Sequence, residues 1–213
     1  MRTADDLFLP SRHGLGFVNS WPRQPAVRLA TPVGRVGIGN AGNGLCGGMV
    51  FVAADYFHVR WPAPCTRPGR DDALYGYIVR RIVDSWCSAP GVLGYYRWML
   101  LNDAQAAVRT IRGQWPSIAN LLIRGVPVPL GLVTVAGAAP AQLRHNHQVL
   151  AYAYTEQNTS TVVRVYDPNR GPRDDVAITI RTDPPAILGH NLGITRGVRG
   201  FFQVDYTPRS PPG

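Results

Sequence analysis

The chain changes its hydrophobic period once, near Gly125, and that change limits the folds open to it. Before it, apolar residues recur at helical spacing. Leu74, Ile78, Ile82 and Trp86 stand four apart, with Val79 and Val83 beside them, which predicts a helix with one apolar stripe. Asp71-Asp72 precede that helix, where acidic groups suit the positive end of its dipole. Asn102 can cap a helix from Asp103 to Arg112, and Trp115-Pro116 is expected to break it. Pro116 then opens a shorter helix, Ser117 to Arg124, which Gly125 ends. Gly91 to Leu101 is aromatic-rich and ambiguous. After Gly125 the pattern alternates. Val128 to Val135, His147 to Thr155, Ser160 to Tyr166, Val176 to Arg181 and Gly200 to Tyr206 read as strands. Pro129 marks its strand as an edge or its position as a strand start. The short connections favour antiparallel pairing. Helices followed by an antiparallel sheet make an α+β fold. We expect one domain over 1–213, with helices in about 1–125, the sheet in about 126–207 and a loose, proline-rich tail at 208–213.

Inside the helical part, a glycine- and asparagine-rich run, Gly39 to Gly44, leads through Leu45 to Cys46 and a nearly all-apolar segment reaching Phe57. Residues 32 to 44 read as a long approach loop. The apolar segment reads as a buried helix with Cys46 in its first turn and Asn43 as its cap. There the unpaired N–H groups and the dipole stabilise a thiolate, lowering its pKa from about 8.5. Gly47 and Gly48 cost helix stability, so something must approach closely there. A buried structural cysteine in a small-residue seam is the competing reading.

Three cysteines, Cys46, Cys65 and Cys87, make neither an even disulfide framework nor a CxxC pair, so a zinc ribbon is not expected and a reducing compartment fits. Cys87 is expected to be buried, and pairing of Cys65 with Cys87 is left open. The first residues lack a signal-peptide apolar run, and no stretch approaches 18 apolar residues. We therefore expect a cytoplasmic protein with no membrane partner, with specialised export left open. The formal charge is +9, and all 22 basic residues are arginine, as codon bias in a GC-rich bacterial genome would give. The arginines are scattered and form no tract, so nucleic acid is not expected as a partner.

A nucleophilic cysteine needs a base, and the base needs an acceptor to orient it. His147 heads the strand His147-Gln148-Val149-Leu150-Ala151-Tyr152-Ala153-Tyr154, and the next strand ends at Tyr166-Asp167-Pro168. A hairpin turning about residues 156–159 would set His147 across from Asp167, whose carboxylate could fix the imidazole tautomer. His145 competes, being two residues away on the same face. His145 and His147 could also grip a metal with Asp167 or Cys46. No cofactor is otherwise called for. Asn40 and Asn43 are side-chain candidates for stabilising an oxyanion, beside the Cys46 N–H.

The order Cys46, His147, Asp167 resembles the papain-like cysteine peptidases. The segment His147-Gln-Val-Leu-Ala-Tyr-Ala-Tyr…Val-Tyr-Asp167-Pro-Asn169 looks more like the C39-type, bacteriocin-processing branch. The resemblance implies a two-lobe fold with the cysteine on a central helix and the His and Asp on the sheet. It implies Cys46 as nucleophile, His147 as base then acid, Asp167 as orienting acceptor, and Asn40, six residues before the cysteine, as oxyanion donor where the family usually has Gln. The implied activity is hydrolysis of a peptide or protein amide through a thioacyl-enzyme. An acyltransferase with the same triad and an inactive binding module are the alternatives. Leu45-Cys46-Gly47-Gly48-Met49 differs from papain's own surroundings, and no transporter segment accompanies the chain, so leader-peptide specificity is not carried over.

Overall fold

The computed structural model describes residues 7–21, 25–31, 34–40, 45–87 and 90–213. Its elements run α1 (Pro10–His13), β1 (Pro25–Thr31), β2 (Gly34–Asn40), α2 (Cys46–Val59), α3 (Ala73–Cys87), α4 (Gly91–Met99), α5 (Asp103–Val108) and α6 (Trp115–Ile123). They continue with β3 (Val128–Val133), β4 (His147–Gln157), β5 (Ser160–Tyr166), β6 (Ala177–Arg181), β7 (Ala186–His190) and β8 (Gly200–Gln203). The fold is α+β, mixing helices with an antiparallel sheet. β1 and β2 form a separate antiparallel hairpin where an approach loop was expected for the second of them. The main sheet has the order β7-β6-β5-β4-β3-β8, with every neighbour antiparallel. β3 is therefore not an edge, and Pro129 sits at its start, next to Val128.

Helices cover both faces of this sheet. Along β4, Leu150 and Tyr152 face a cluster built on α2, α3 and α4, including Met49, Phe51, Ile78 and Trp98. Val149 and Ala151 face the other way, onto Trp115, Ile118 and Leu122. Helical residues 111–122 thus back the sheet from the side opposite α2, whereas Ala106 of α5 belongs to the α2-side cluster. The expected break at Trp115-Pro116 does not occur. The capping box of Asn102 and Gln105 starts α5 as read. A π-helical turn, Arg109–Gln114, then carries the chain into α6 with Pro116 in its first turn, where a missing N–H costs least.

α2 is buried all along from Gly47 to Tyr56, as a sequence apolar on every side requires. The close approach at its glycines comes from packing. A Cβ on Gly48 would lie 2.2 Å from the Ile78 carbonyl oxygen of α3, and one on Gly47 would lie 2.5 Å from Gln148 Oε1. α2 also buries a carboxylate. Asp55 accepts from Tyr77 Oη (2.8 Å), Tyr206 Oη (2.7 Å), Arg81 Nη2 (3.1 Å) and the Arg209 backbone N–H (2.9 Å). Arg81 Nε, 2.8 Å from Asp55 Oδ2, adds charge attraction without hydrogen-bond alignment. The tail at 208–213 is consequently not loose. Arg209 is held at Asp55, and the Pro212 carbonyl accepts from Tyr56 Oη at 2.8 Å. Cys65 and Cys87 are free and exposed, against the expectation that Cys87 is buried.

Candidate active site

Cys46 is the first residue of α2, as read, but its cap differs. The cap residue is Leu45, with no side-chain cap, and Leu45 N–H donates to Asn19 Oδ1 at 2.8 Å. Asn43 lies outside the described residues. Asn40 closes β2, and its side chain lies outside them too.

His147 and Asp167 meet, by a register the sequence does not reveal. The hairpin turn is Asn158-Thr159, with Gln157 opposite Ser160. At that register Asp167 would fall opposite Leu150, on the face away from His147. A β-bulge between Ala151 and Ala153 takes up one residue, so Leu150 pairs with Tyr166. Continued one step, Val149 stands opposite Asp167. Because side chains alternate, Asp167 then shares a face with Val149 and His147. The expected direct pairing of 147 with 167 is replaced by a diagonal one, and the two side chains span it: His147 Nε2 and Asp167 Oδ1 are 2.8 Å apart.

Asp167 is fully buried and satisfied. Oδ1 also accepts from Asn169 N–H (2.8 Å), and Oδ2 accepts from Gly193 N–H (2.7 Å). Burial alone would raise its pKa. The bond to His147, the imidazolium charge and the two backbone donors outweigh that and lower it. Gly193 must be glycine for this contact, since a Cβ there would lie 2.5 Å from the Asn169 Cβ. Asn169 and Asn19 close the network: Asn19 Nδ2 donates to Asn169 Oδ1 (2.9 Å), and Asn19 N–H to the Pro168 carbonyl (2.9 Å). One side chain therefore ties the cysteine's helix start to the loop carrying the carboxylate.

With Nε2 engaged by Asp167, Nδ1 is the ring nitrogen left for Cys46. The thiol lies within hydrogen-bonding reach of the imidazole and of the backbone N–H groups of Gln148 and Gly47. Burial opposes charge on both groups. The His147 charge and its hydrogen bond, followed by the two N–H donors, still bring the Cys46 pKa down. The Cys46 charge and the bonds to Asp167 and Cys46 push His147 up to about 10. The arrangement favours a thiolate–imidazolium pair. Tyr95 Oη donates to the His147 carbonyl at 3.1 Å, and burial, followed by the Cys46 charge, raises its pKa and keeps it a donor.

The pair opens into a cleft of about 480 Å³ lined also by Asn19, Arg144, His145, Asn146, Asn169 and Arg196. His145 stays out of the triad. Slight desolvation and the charges of Arg196 and Arg144 hold its pKa down. Among the described residues no three His, Cys, Asp or Glu side chains gather as a metal would require. Sequence reasoning missed Asn19, Asn169, Gln148 and Gly193. Asn19-Ser20-Trp21-Pro22 has the composition of a turn, and the role of Asn19 depends on long-range contacts to Leu45, Pro168 and Asn169 that leave no local signal. Among the described residues, no helix is long and apolar enough to cross a membrane. Comparison with protein-family models, curated proteins and solved structures finds no match.

Proposed function

We propose that this chain is a cysteine-dependent amide or peptide hydrolase with a papain-like, two-lobe organisation of the C39 type. The observation that carries the reading is the line from Asp167 through His147 to Cys46 at the start of a buried helix. Each group does what its neighbours allow. Cys46 Sγ, as thiolate, attacks the substrate carbonyl carbon. The helix-start N–H of Cys46 donates to the oxygen as it gains charge. A side-chain donor joins it, either Asn40 or Asn19, whose Nδ2 has a second N–H beyond the one given to Asn169. His147 Nδ1 gives its proton to the leaving amine, and the C–N bond breaks to leave a thioacyl-enzyme. Water then loses a proton to His147 as it attacks the thioester, and Cys46 leaves as thiolate. Asp167 keeps the ring oriented and stabilises its charged form.

The test is alkylation of Cys46 by iodoacetamide as a function of pH, read by mass spectrometry. In the wild type, labelling should set in below the free-thiol value of about 8.5, because the pair forms once the thiol's lowered pKa is passed. It should change again near pH 10, where His147 loses its proton. In His147→Ala the onset should return to the free-thiol range, and peptide turnover should vanish. An unchanged profile in that variant, with turnover retained, would overturn the proposal.

A further inference from the structure

The cleft beside Cys46 carries charge of one sign. Arg144, from the 3-10 turn Pro140–His145, and Arg196, from the loop between β7 and β8, both line it. No Asp or Glu lines it, and Asp167 is sealed beneath with its oxygens engaged. Four arginines outside the cleft, Arg81, Arg173, Arg199 and Arg209, have their charge met by a carboxylate partner. Among the described residues, Arg144 and Arg196 have none, and Arg144's one side-chain contact is a 3.5 Å approach to His145. Two guanidiniums from separate segments, neither with a carboxylate partner, thus line the cleft of the reactive pair, and the remaining polar lining consists of amides, a hydroxyl and the His145 imidazole. Guanidinium recognises carboxylate through its planar fork.

We propose that Arg144 and Arg196 form a carboxylate-binding subsite, so that the substrate is an acidic peptide with its Asp or Glu side chain, or a free C-terminal carboxylate, beside the reacting carbonyl. The substrate class rests on the hydrolase reading above, whereas the subsite itself can be tested without turnover.

Two measurements separate the claims. The first is the ratio of Cys46 alkylation by iodoacetate to that by iodoacetamide. The Arg144→Gln/Arg196→Gln double variant should lower this ratio about fivefold, as loss of two cations near an anionic reagent predicts. Arg97→Gln/Arg124→Gln, which removes equal charge elsewhere, should shift it by less than about twofold, since remote exposed charges are screened. The second is binding of labelled peptides to Cys46→Ala. The probes are Ala-Ala-Glu-Glu-Ala-Ala amide, its Gln counterpart as the amide, and the Gln peptide with a free carboxyl end. Tighter binding of the first or third than of the second, lost in the arginine double variant, supports the subsite and tells side chain from terminus. Equal binding of all three, or an unchanged alkylation ratio, overturns it. So does displacement by a single-stranded oligonucleotide at lower concentration than by the acidic peptide, which would assign the arginines to phosphate. A Cys46 inert to both reagents with acidic-peptide binding intact would sink the hydrolase reading alone.

Discussion

Asp167 has no exposed surface and four roles: it accepts from His147, from two backbone N–H groups, and it raises the imidazole pKa. Removing its charge should therefore act on Cys46 through His147. In Asp167→Asn the imidazolium loses its partner, so the His147 pKa falls and the Cys46 pKa climbs back. The onset of Cys46 alkylation should move to higher pH, and any peptidase kcat should drop roughly a thousandfold. Glycines offer a second contrast at this scale. Gly48→Ala drives a methyl into the Ile78 carbonyl and should cost about 2–3 kcal/mol, read by urea denaturation. Gly76, in α3, has nothing within 4 Å of where a Cβ would sit, so Gly76→Ala should stabilise by about 0.5–1 kcal/mol.

At the scale of elements, β4 decides the chemistry. Its bulge is the device that brings His147 and Asp167 to one face. Deleting Ala153 would remove the extra residue and make the ladder regular. Tyr152 would then take Arg164 as its partner with Val149 still opposite Asp167, so His147 should keep its face and Cys46 its wild-type alkylation profile while circular dichroism still reports the sheet. A profile like that of His147→Ala would show that the strand slips to a different register once the bulge is gone. The same strand shows what a sequence can reveal. The alternation of β4 and β5 and the Asp-Pro ending were legible, and they pointed to two residues whose side chains meet. The bulge was not, because Tyr152 and Ala153 suit either face. Nor was β7, whose Ala186–His190 follows a cluster of turn residues and has few strand formers. The π-turn escaped for a related reason: Trp115-Pro116 reads locally as a break, while packing of Ile111, Trp115 and Ile118 on the sheet keeps the helix continuous.

For the molecule as a whole, the chain's end returns to its central helix. Thr207 O accepts from Arg81 Nη2 at 2.9 Å, Arg209 N–H donates to Asp55, and Pro212 O accepts from Tyr56 Oη. These contacts join the segment after β8 to α2 and α3. The ion pair with most at stake is Asp55–Arg81, since both side chains are buried. Arg81→Met should cost about 3–5 kcal/mol, because it strands a buried carboxylate. The tail's share is separable. The Arg209 side chain pairs with Asp84 at the surface, so Arg209→Ala should cost less than about 1 kcal/mol. Its backbone N–H is the buried contact, and only truncation removes it. A chain ending at Tyr206 should therefore lose about 2–4 kcal/mol and melt roughly 5–15 °C lower by calorimetry. Asp55 lies nine residues along α2 from Cys46, roughly 13 Å of helix rise. The truncated protein, kept below its melting range, should accordingly alkylate at Cys46 with the wild-type pH profile. A shifted profile would mean instead that the tail positions the nucleophile as well as holding the helix that carries it.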